Sequence, residues 1–280
     1  MGGAFPRSES GRSYPVTDAQ GGFLANAAMA SRKDARDAVV AARAAQAKWA
    51  SATAYNRGQV LYRVAEVLEG RRAQFVDEVR RGEGLSAAQA DAVVDAAVDR
   101  WVWYAGWTDK VAQVLGGLNP VAGPFFDISV PEPTGVVAVL APQRSSLLGL
   151  VSVVAPALVT GNSVVVLASE HRPLPAVTLG EVLATSDVPG GVVNVLTGRT
   201  AEVAPWLASH MDVNAIDLAG TAGADGVECA DLEVAAADNL KRVLRPGDAG
   251  GDGPDWLVTP GLERIRAFVE TKTVWHPKGT

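Results

Sequence analysis

An α/β fold, with a helical layer ahead of a parallel sheet, is what this sequence predicts, and three observations carry that expectation. Capped amphipathic segments fill residues 31–105, short, largely apolar runs follow at 136–140, 164–167, 192–196 and 215–218, and helix-like segments separate those runs. Apolar strands alternating with helices imply right-handed crossovers and a sheet covered on both faces. The 280 residues are 48% apolar and 20% charged, a balance that excludes an extended disordered chain. A net charge of −6 argues against a polyanion partner such as nucleic acid.

The helical elements come first. Ser31 caps a helix, with Asp34 as its reciprocal partner, and Ala35, Ala38, Val39, Ala42 and Trp49 recur at helical spacing. A second helix is expected over 56–80, with Leu61, Val64, Ala65 and Leu68 on one face and a weak point at Gly70-Arg71-Arg72. Ser86 and Gln89 form a capping box for a third, whose stripe is Ala90, Val93, Val94, Ala97, Trp101, Tyr104 and Ala105. The tryptophans at 49, 101, 103, 107 and 206 read as core or interface, because aromatic stripes at helical spacing are packing elements.

A strand over 125–130 lies between Pro124 and Pro131. The apolar runs then alternate with helices at 145–158, 176–185 and 201–209. In such a sheet, ligands bind at the carboxyl ends of the strands, where helix N-termini present unpaired N–H groups. Neither G-x-G-x-x-G nor G-x-x-x-x-G-K-[ST] occurs, and the three-residue spacing of Gly220, Gly223 and Gly226 is a weaker, loop-like pattern.

Candidates for other chemistry are few. The single cysteine, Cys229, excludes an internal disulfide or multi-cysteine metal site and reads as a small semi-buried side chain. His171, His210 and His276 lack metal-ligand spacing, and Ser145, Ser146 and Ser152 stand in no nucleophile elbow. No apolar run reaches the ~20 residues of a bilayer span, and residues 1–10 lack the apolar stretch of a secretory signal. The expectation is a cytoplasmic globular protein without a metal or membrane partner.

From Glu132 onward the sequence resembles the aldehyde dehydrogenase superfamily. Glu132-Pro133-Thr134-Gly135-Val136-Val137 is similar to that family's E-P-x-G-V-V, and Ala155-Pro156-Ala157-Leu158-Val159-Thr160-Gly161-Asn162-Ser163-Val164-Val165 to its A-P-A-L-A-x-G-N-x-V-V. Pro189–Val195 resembles P-x-G-V-V-N-V, and Ser209-His210-Met211-Asp212-Val213 resembles S-H-x-D-V. The tail, Gly261-Leu262-Glu263 and then Thr271-Lys272-Thr273-Val274, is similar to the family's G-L-E and T-x-V-K-T-V.

The resemblance implies an N-terminal helical layer of a cofactor domain over 1–124, a Rossmann-like cofactor domain over 132–244, and oligomerisation strands at 125–131 and 262–280. Where full members carry a catalytic domain of roughly 200 residues, this chain has only the Gly/Pro/Asp-rich bridge 245–255, so the catalytic domain is expected to be absent. Cys229 does not match the family's nucleophile, and E-L-G-G, which holds its base, is replaced around Arg245-Pro246-Gly247. P-W-N-x-P stands as Pro142-Gln143-Arg144-Ser145-Ser146, without the Asn that serves the oxyanion.

At the cofactor site, K-P-x-E stands as Leu167-Ala168-Ser169-Glu170 and F-T-G-S as Leu218-Ala219-Gly220-Thr221. The resemblance therefore implies vestigial cofactor residues Glu170, Gly220 and Thr221, no catalytic residue, and NAD(P) not required and at most weakly held. Three functions fit: an inactive subunit paired with a full-length aldehyde dehydrogenase as a hetero-oligomer, an NAD(P)-binding oxidoreductase with residual or altered activity, or a structural homo-oligomer such as a homodimer.

Overall fold

A proline at position 15 and only five residues of alternation conceal the first strand. β1 (Ser13–Thr17) pairs antiparallel with β2 (Phe23–Ala28) around a turn in which the Asp18 carboxylate accepts from the N–H groups of Gln20 and Gly22. This hairpin corrects the expectation of an all-helical layer over 1–124. It is held by a small cluster of Tyr14, Val16 and Ala27 with Leu174. The computed structural model describes residues 1–246 and 254–278, so residues 247–253 of the expected bridge lie outside the described residues.

The capped helices form as their sequence signals require. α1 (Arg32–Ser51) starts at the Ser31/Asp34 capping box and buries Ala35, Ala38, Val39, Ala42 and Trp49. The second expected helix divides at Arg71 into α2 (Ala54–Gly70) and α3 (Arg72–Glu83), with Leu61, Val64, Ala65 and Leu68 buried on α2. α4 (Ala87–Ala105) carries the Ser86/Gln89 box and buries Trp101 and Tyr104, and a short α5 (Val111–Leu115) follows.

β5 (Val136–Leu140), β6 (Ser163–Leu167), β7 (Val193–Leu196), β8 (Ala215–Asp217) and β9 (Arg242–Leu244) make one parallel sheet in the order β7-β6-β5-β8-β9. The connections are α6 (Leu148–Val159), α7 (Leu174–Ala184), α8 (Thr200–Ser209) and α9 (Cys229–Ala237). Alternation divides the sheet between two cores. Val137, Val139, Val164 and Val166 pack with α2, α3, α4, α6 and α7, whereas Val136, Ala138, Val165, Leu167 and Ile216 pack with α1, α8 and α9. All twelve residues of α6 are buried, which is why its pattern lacks a polar face.

A second sheet stands apart from this core. β3 (Gly117–Asn119), β4 (Phe125–Pro133) and β10 (Val269–Pro277) pair antiparallel in the order β10-β4-β3. The two expected strand regions thus pair with each other, but residues 263–267 of the tail form a helical turn, α10 (Glu263–Ala267), rather than strand. Ile265 and Phe268 are fully buried there and anchor the tail in the main core.

Asp34 ties the amino-terminal segment to α1. Its carboxylate accepts from Ser8 Oγ at 2.7 Å, Ser31 N at 2.8 Å and Glu9 N at 3.1 Å. Burial alone would raise the Asp34 pKa, but these hydrogen bonds outweigh it and hold the carboxyl below its ordinary value. A depressed folded-state pKa contributes stability above the unfolded value, and that contribution is lost as pH falls through the folded one. Asp34→Ala is therefore expected to cost about 1–2 kcal/mol near neutral pH. Urea unfolding across pH should show the difference from the parent chain closing below about pH 4.

Candidate functional site

The carboxyl edge of the parallel sheet is where the topology would place a ligand. The loops there leave β5 at Ala141, β6 at Ala168, β7 at Thr197 and β8 at Leu218. Glu170, Gly220 and Thr221 all lie at this edge, as expected, and each is engaged within the chain.

The Glu170 carboxylate accepts from Arg199 Nη1 at 2.8 Å and from Thr200 N at 3.0 Å. It therefore caps the first turn of α8, a position where the helix favours a negative charge. Thr221 Oγ1 donates to Leu218 O at 2.9 Å, closing the 3-10 turn Ala219–Thr221 on itself. Gly220 is required by a close approach: a Cβ there would lie 2.3 Å from Ala141 O and 2.6 Å from Leu140 C. Its lack of a side chain lets the turn lie directly on the end of β5.

Gln143 joins these parts. Its Oε1 accepts from Glu170 N at 2.9 Å, while its Nε2 donates to Ala141 O at 3.1 Å and Gly220 O at 3.4 Å. Its carbonyl accepts from Ser169 Oγ at 2.9 Å. A buried amide using both ends in this way spans the crevice between β5, β6 and the 3-10 turn. The sequence marked Gln143 only as a departure from the resembled motif. A polar side chain directly after a fully apolar strand was the available signal for its bridging role.

Neighbouring polar groups are likewise structural. Ser145 Oγ accepts from Gly149 N at 2.9 Å, Ser146 bonds Glu83 Oε1 through N and Oγ at 2.7 Å each, and Ser152 Oγ accepts from Arg100 Nη1 at 2.6 Å. Cys229 begins α9, with Sγ 3.8 Å from Glu233 Oε1. Burial and then the Glu233 carboxylate push its thiol pKa up, the reverse of what a nucleophile requires. His210 Nδ1 accepts from Asp212 N at 3.1 Å, and His171 and His276 are exposed elsewhere. Among the described residues no His, Cys, Asp and Glu cluster has the makings of a metal site. No helix there is long and apolar enough to cross a membrane.

One further element at this edge was missed by sequence reasoning. Asp217 ends β8 fully buried, with Oδ1 accepting from Ala219 N at 3.0 Å and Oδ2 paired with Arg264 of α10. Arg100 of α4 donates to Trp256 O at 2.7 Å and Val258 O at 3.0 Å. The returning chain is thus clamped over the sheet edge by two arginines.

NAD(P) poorly matches this arrangement. Leu167, which stands where the resembled family has its ribose-holding lysine, is buried in β6, and the Glu170 carboxylate already serves Arg199 and α8.

The profile of the aldehyde dehydrogenase family matches residues 6–244. Retinal dehydrogenase 2 of Gallus gallus is 34% identical over 255 residues, covering 89% of this chain and 47% of that protein. The mitochondrial aldehyde dehydrogenase family 2 member B4 of Arabidopsis thaliana is 32% identical, covering 91% of this chain and 46% of its own length. Among solved structures, an NAD+ complex of an aldehyde dehydrogenase from Bacillus cereus superposes with a TM-score of 0.81 at 25% identity, over 88% of this chain and 50% of that one. PnpE from Pseudomonas sp. WBC-3 superposes with a TM-score of 0.82 at 27% identity, over 88% of this chain and 50% of that one. The chain therefore spans about half the length of the relatives it matches.

Removing the Arg264 side chain would leave the Asp217 carboxylate buried without its cation. Arg264→Ala is expected to destabilise the fold by about 3–5 kcal/mol, measured by chemical denaturation. Arg264→Lys should recover part of that loss, because the charge returns without the guanidinium fork.

Proposed function

Because the chain belongs to the aldehyde dehydrogenase family, we propose that it acts as a non-catalytic subunit that pairs with a full-length aldehyde dehydrogenase, stabilising or regulating it. The observation that carries this reading is the β10-β4-β3 sheet. Lys278 N donates to Pro124 O at 2.7 Å and Thr134 N to Phe268 O at 3.3 Å, at the two ends of one unbroken register. The even-numbered residues of β10 therefore bond to β4. The odd-numbered ones, Thr271, Thr273 and Trp275, direct their N–H and C=O groups outward.

Leu118, Phe126, Ile128, Val130 and Val274 share one face of this sheet by register, and all are exposed. An open edge beside an exposed apolar face requires a cover. A full-length relative, of which this chain matches about half, is the partner proposed to provide it. The sealed crevice and the raised thiol pKa of Cys229 support a subunit without chemistry of its own.

Co-expression with a full-length aldehyde dehydrogenase, followed by size exclusion with mass measurement, tests the pairing. The expected result is a stoichiometric mixed oligomer. Thr273→Pro should abolish it while leaving the isolated chain's melting temperature within a few degrees, since proline there removes an outward N–H, no backbone bond to β4, and only the exposed side-chain contact of Thr273 Oγ1 with Ser129 Oγ at 2.8 Å. A parent chain that stays monomeric beside such partners, or a mixed oligomer untouched by Thr273→Pro, defeats the proposal.

The residual-oxidoreductase reading makes a different demand on the cofactor. On the subunit reading, NADH binding by calorimetry is expected to be at least roughly ten- to a hundredfold weaker than in a full-length relative, the consequence of losing one charge-assisted ribose contact. Affinity equal to the relative's would favour the oxidoreductase. A lone symmetric dimer in solution, indifferent to any relative, would favour the structural homo-oligomer.

A further inference from the structure

An apolar cavity of about 280 Å³ lies beside β7, the edge strand on the outer side of the parallel sheet. Its wall includes Val177 and Leu183 of α7, Val188, Val193 and Val195 of β7, and Phe5. Glu170, Gly220, Thr221 and Gln143 of the carboxyl-edge crevice take no part in it.

The chain ahead of β1 forms one side. Gly2 N donates to Asn194 Oδ1 at 2.9 Å, and Ser8 Oγ is held by Asp34, so residues 3–6 run between two fixed points. Gly190 permits the close approach at the first point, since a Cβ there would lie 2.8 Å from Gly2 O. Asp34 is the one charged side chain in the lining, and its carboxylate already accepts from Ser8, Glu9 and Ser31 at the first turn of α1. The Met1 amino group donates to Ala4 O at 2.8 Å. Both charged groups of the lining are thus committed within the chain.

What the cavity does offer is backbone. Parallel pairing joins the even-numbered residues of β7 to β6, with Val164 N donating to Val192 O at 2.7 Å and Ala168 N to Leu196 O at 2.9 Å. Val193, Val195 and Thr197 therefore direct their N–H and C=O groups away from the sheet. Thr197 O accepts from Ala30 N at 2.9 Å, where the end of the hairpin meets the strand. Among the described residues, the outward groups of Val193 and Val195 have no partner, although both residues are half-buried and line the cavity.

We propose that this cavity binds a small, uncharged carboxamide carried on a single apolar ring. The amide oxygen accepts from Val195 N–H, the amide N–H donates to Val195 C=O, and the ring lies among the aliphatic side chains. A carboxamide holds its acceptor and donor next to each other, so one residue of a strand edge satisfies both, as a neighbouring strand would. The volume is at the lower end for small-molecule sites, which suits one ring and is too small for a dinucleotide. β7, α7 and the amino-terminal segment build the site, so it stands whether or not the chain pairs with another subunit.

The test is amide NMR of the isotope-labelled full chain, titrated with benzamide and, in parallel, with toluene, benzylamine and benzoate. Benzamide is expected to shift the Val193 and Val195 resonances saturably and to bind about tenfold more tightly than toluene, as two added hydrogen bonds require. Gly180→Leu tests the location. A Cβ at Gly180 would lie 3.6 Å from Phe5 Cε1 and 3.9 Å from Val195 Cγ2, in ordinary contact, and leucine favours the helix of α7 more than glycine does. The longer side chain fills the cavity, so the benzamide shifts should vanish without loss of melting temperature. Val193 and Val195 resonances that stay still in the parent chain overturn the proposal. So does toluene or either charged analogue binding as tightly as benzamide, or a benzamide response that persists in Gly180→Leu.

Discussion

Two-sided burial of a parallel sheet is the constraint on which this molecule depends. β5 and β6 are buried along their whole lengths, so neither can tolerate water on either face. The chain meets that demand with α6 and the α2–α4 layer on one side and α1, α8 and α9 on the other. What it must also supply is closure of the carboxyl edge, and there the solution is polar. Asp217 is fully buried at the end of β8, and the whole returning segment from Trp256 to Phe268 is arranged so that Arg264 can reach it. A buried carboxylate of this kind stabilises only in its completed pair. Arg100 extends the same closure by binding the carbonyls of Trp256 and Val258.

That closure shapes what the carboxyl edge can do. Loops there present donors and acceptors to a ligand only if those groups are free. Glu170 is spent on Arg199 and on the first turn of α8, and Gln143 connects Glu170 to the turn at Gly220. Gly220 keeps the smallness that a close approach needs, but what approaches it is the backbone of Leu140 and Ala141. The same residue type at the same place in the fold thus serves packing.

The fold was largely legible because its signals are local and redundant. Capping boxes at Ser31 and Ser86 set two helix starts, and the strands β5 and β6 are continuous apolar runs with few alternatives. The β1–β2 hairpin escaped because Pro15 sits within β1 and only Tyr14 and Val16 report its alternation. The division of the second helix fell at Arg71, where Gly70 lowered local helix propensity as expected. At the site, the positions of Glu170, Gly220 and Thr221 were readable from the order of strands and turns. Their engagement was not, because it depends on Gln143, which lies 27 residues before Glu170. Asp217 and Arg264, 47 residues apart, were invisible for the same reason: no pattern in a linear chain marks a long-range ion pair.

The peripheral sheet is the place where the molecule's own logic is incomplete. In the parallel sheet the apolar strands are covered, and the buried Asp217 meets Arg264. β4 and β10, by contrast, carry Phe126, Ile128, Val130 and Val274 into solvent, and Trp275 is 59% exposed beside Phe125. Usual edge protection is sparse. Lys272 is held by Glu132 on the apolar face rather than directed along the edge, and Pro277 blocks only the final residue. β10 meets the main body only at its start, through buried Val269 and the Glu270–Arg242 pair beside the anchor at Phe268, so the exposed run from Thr271 to Pro277 adds nothing to the core and is left as surface.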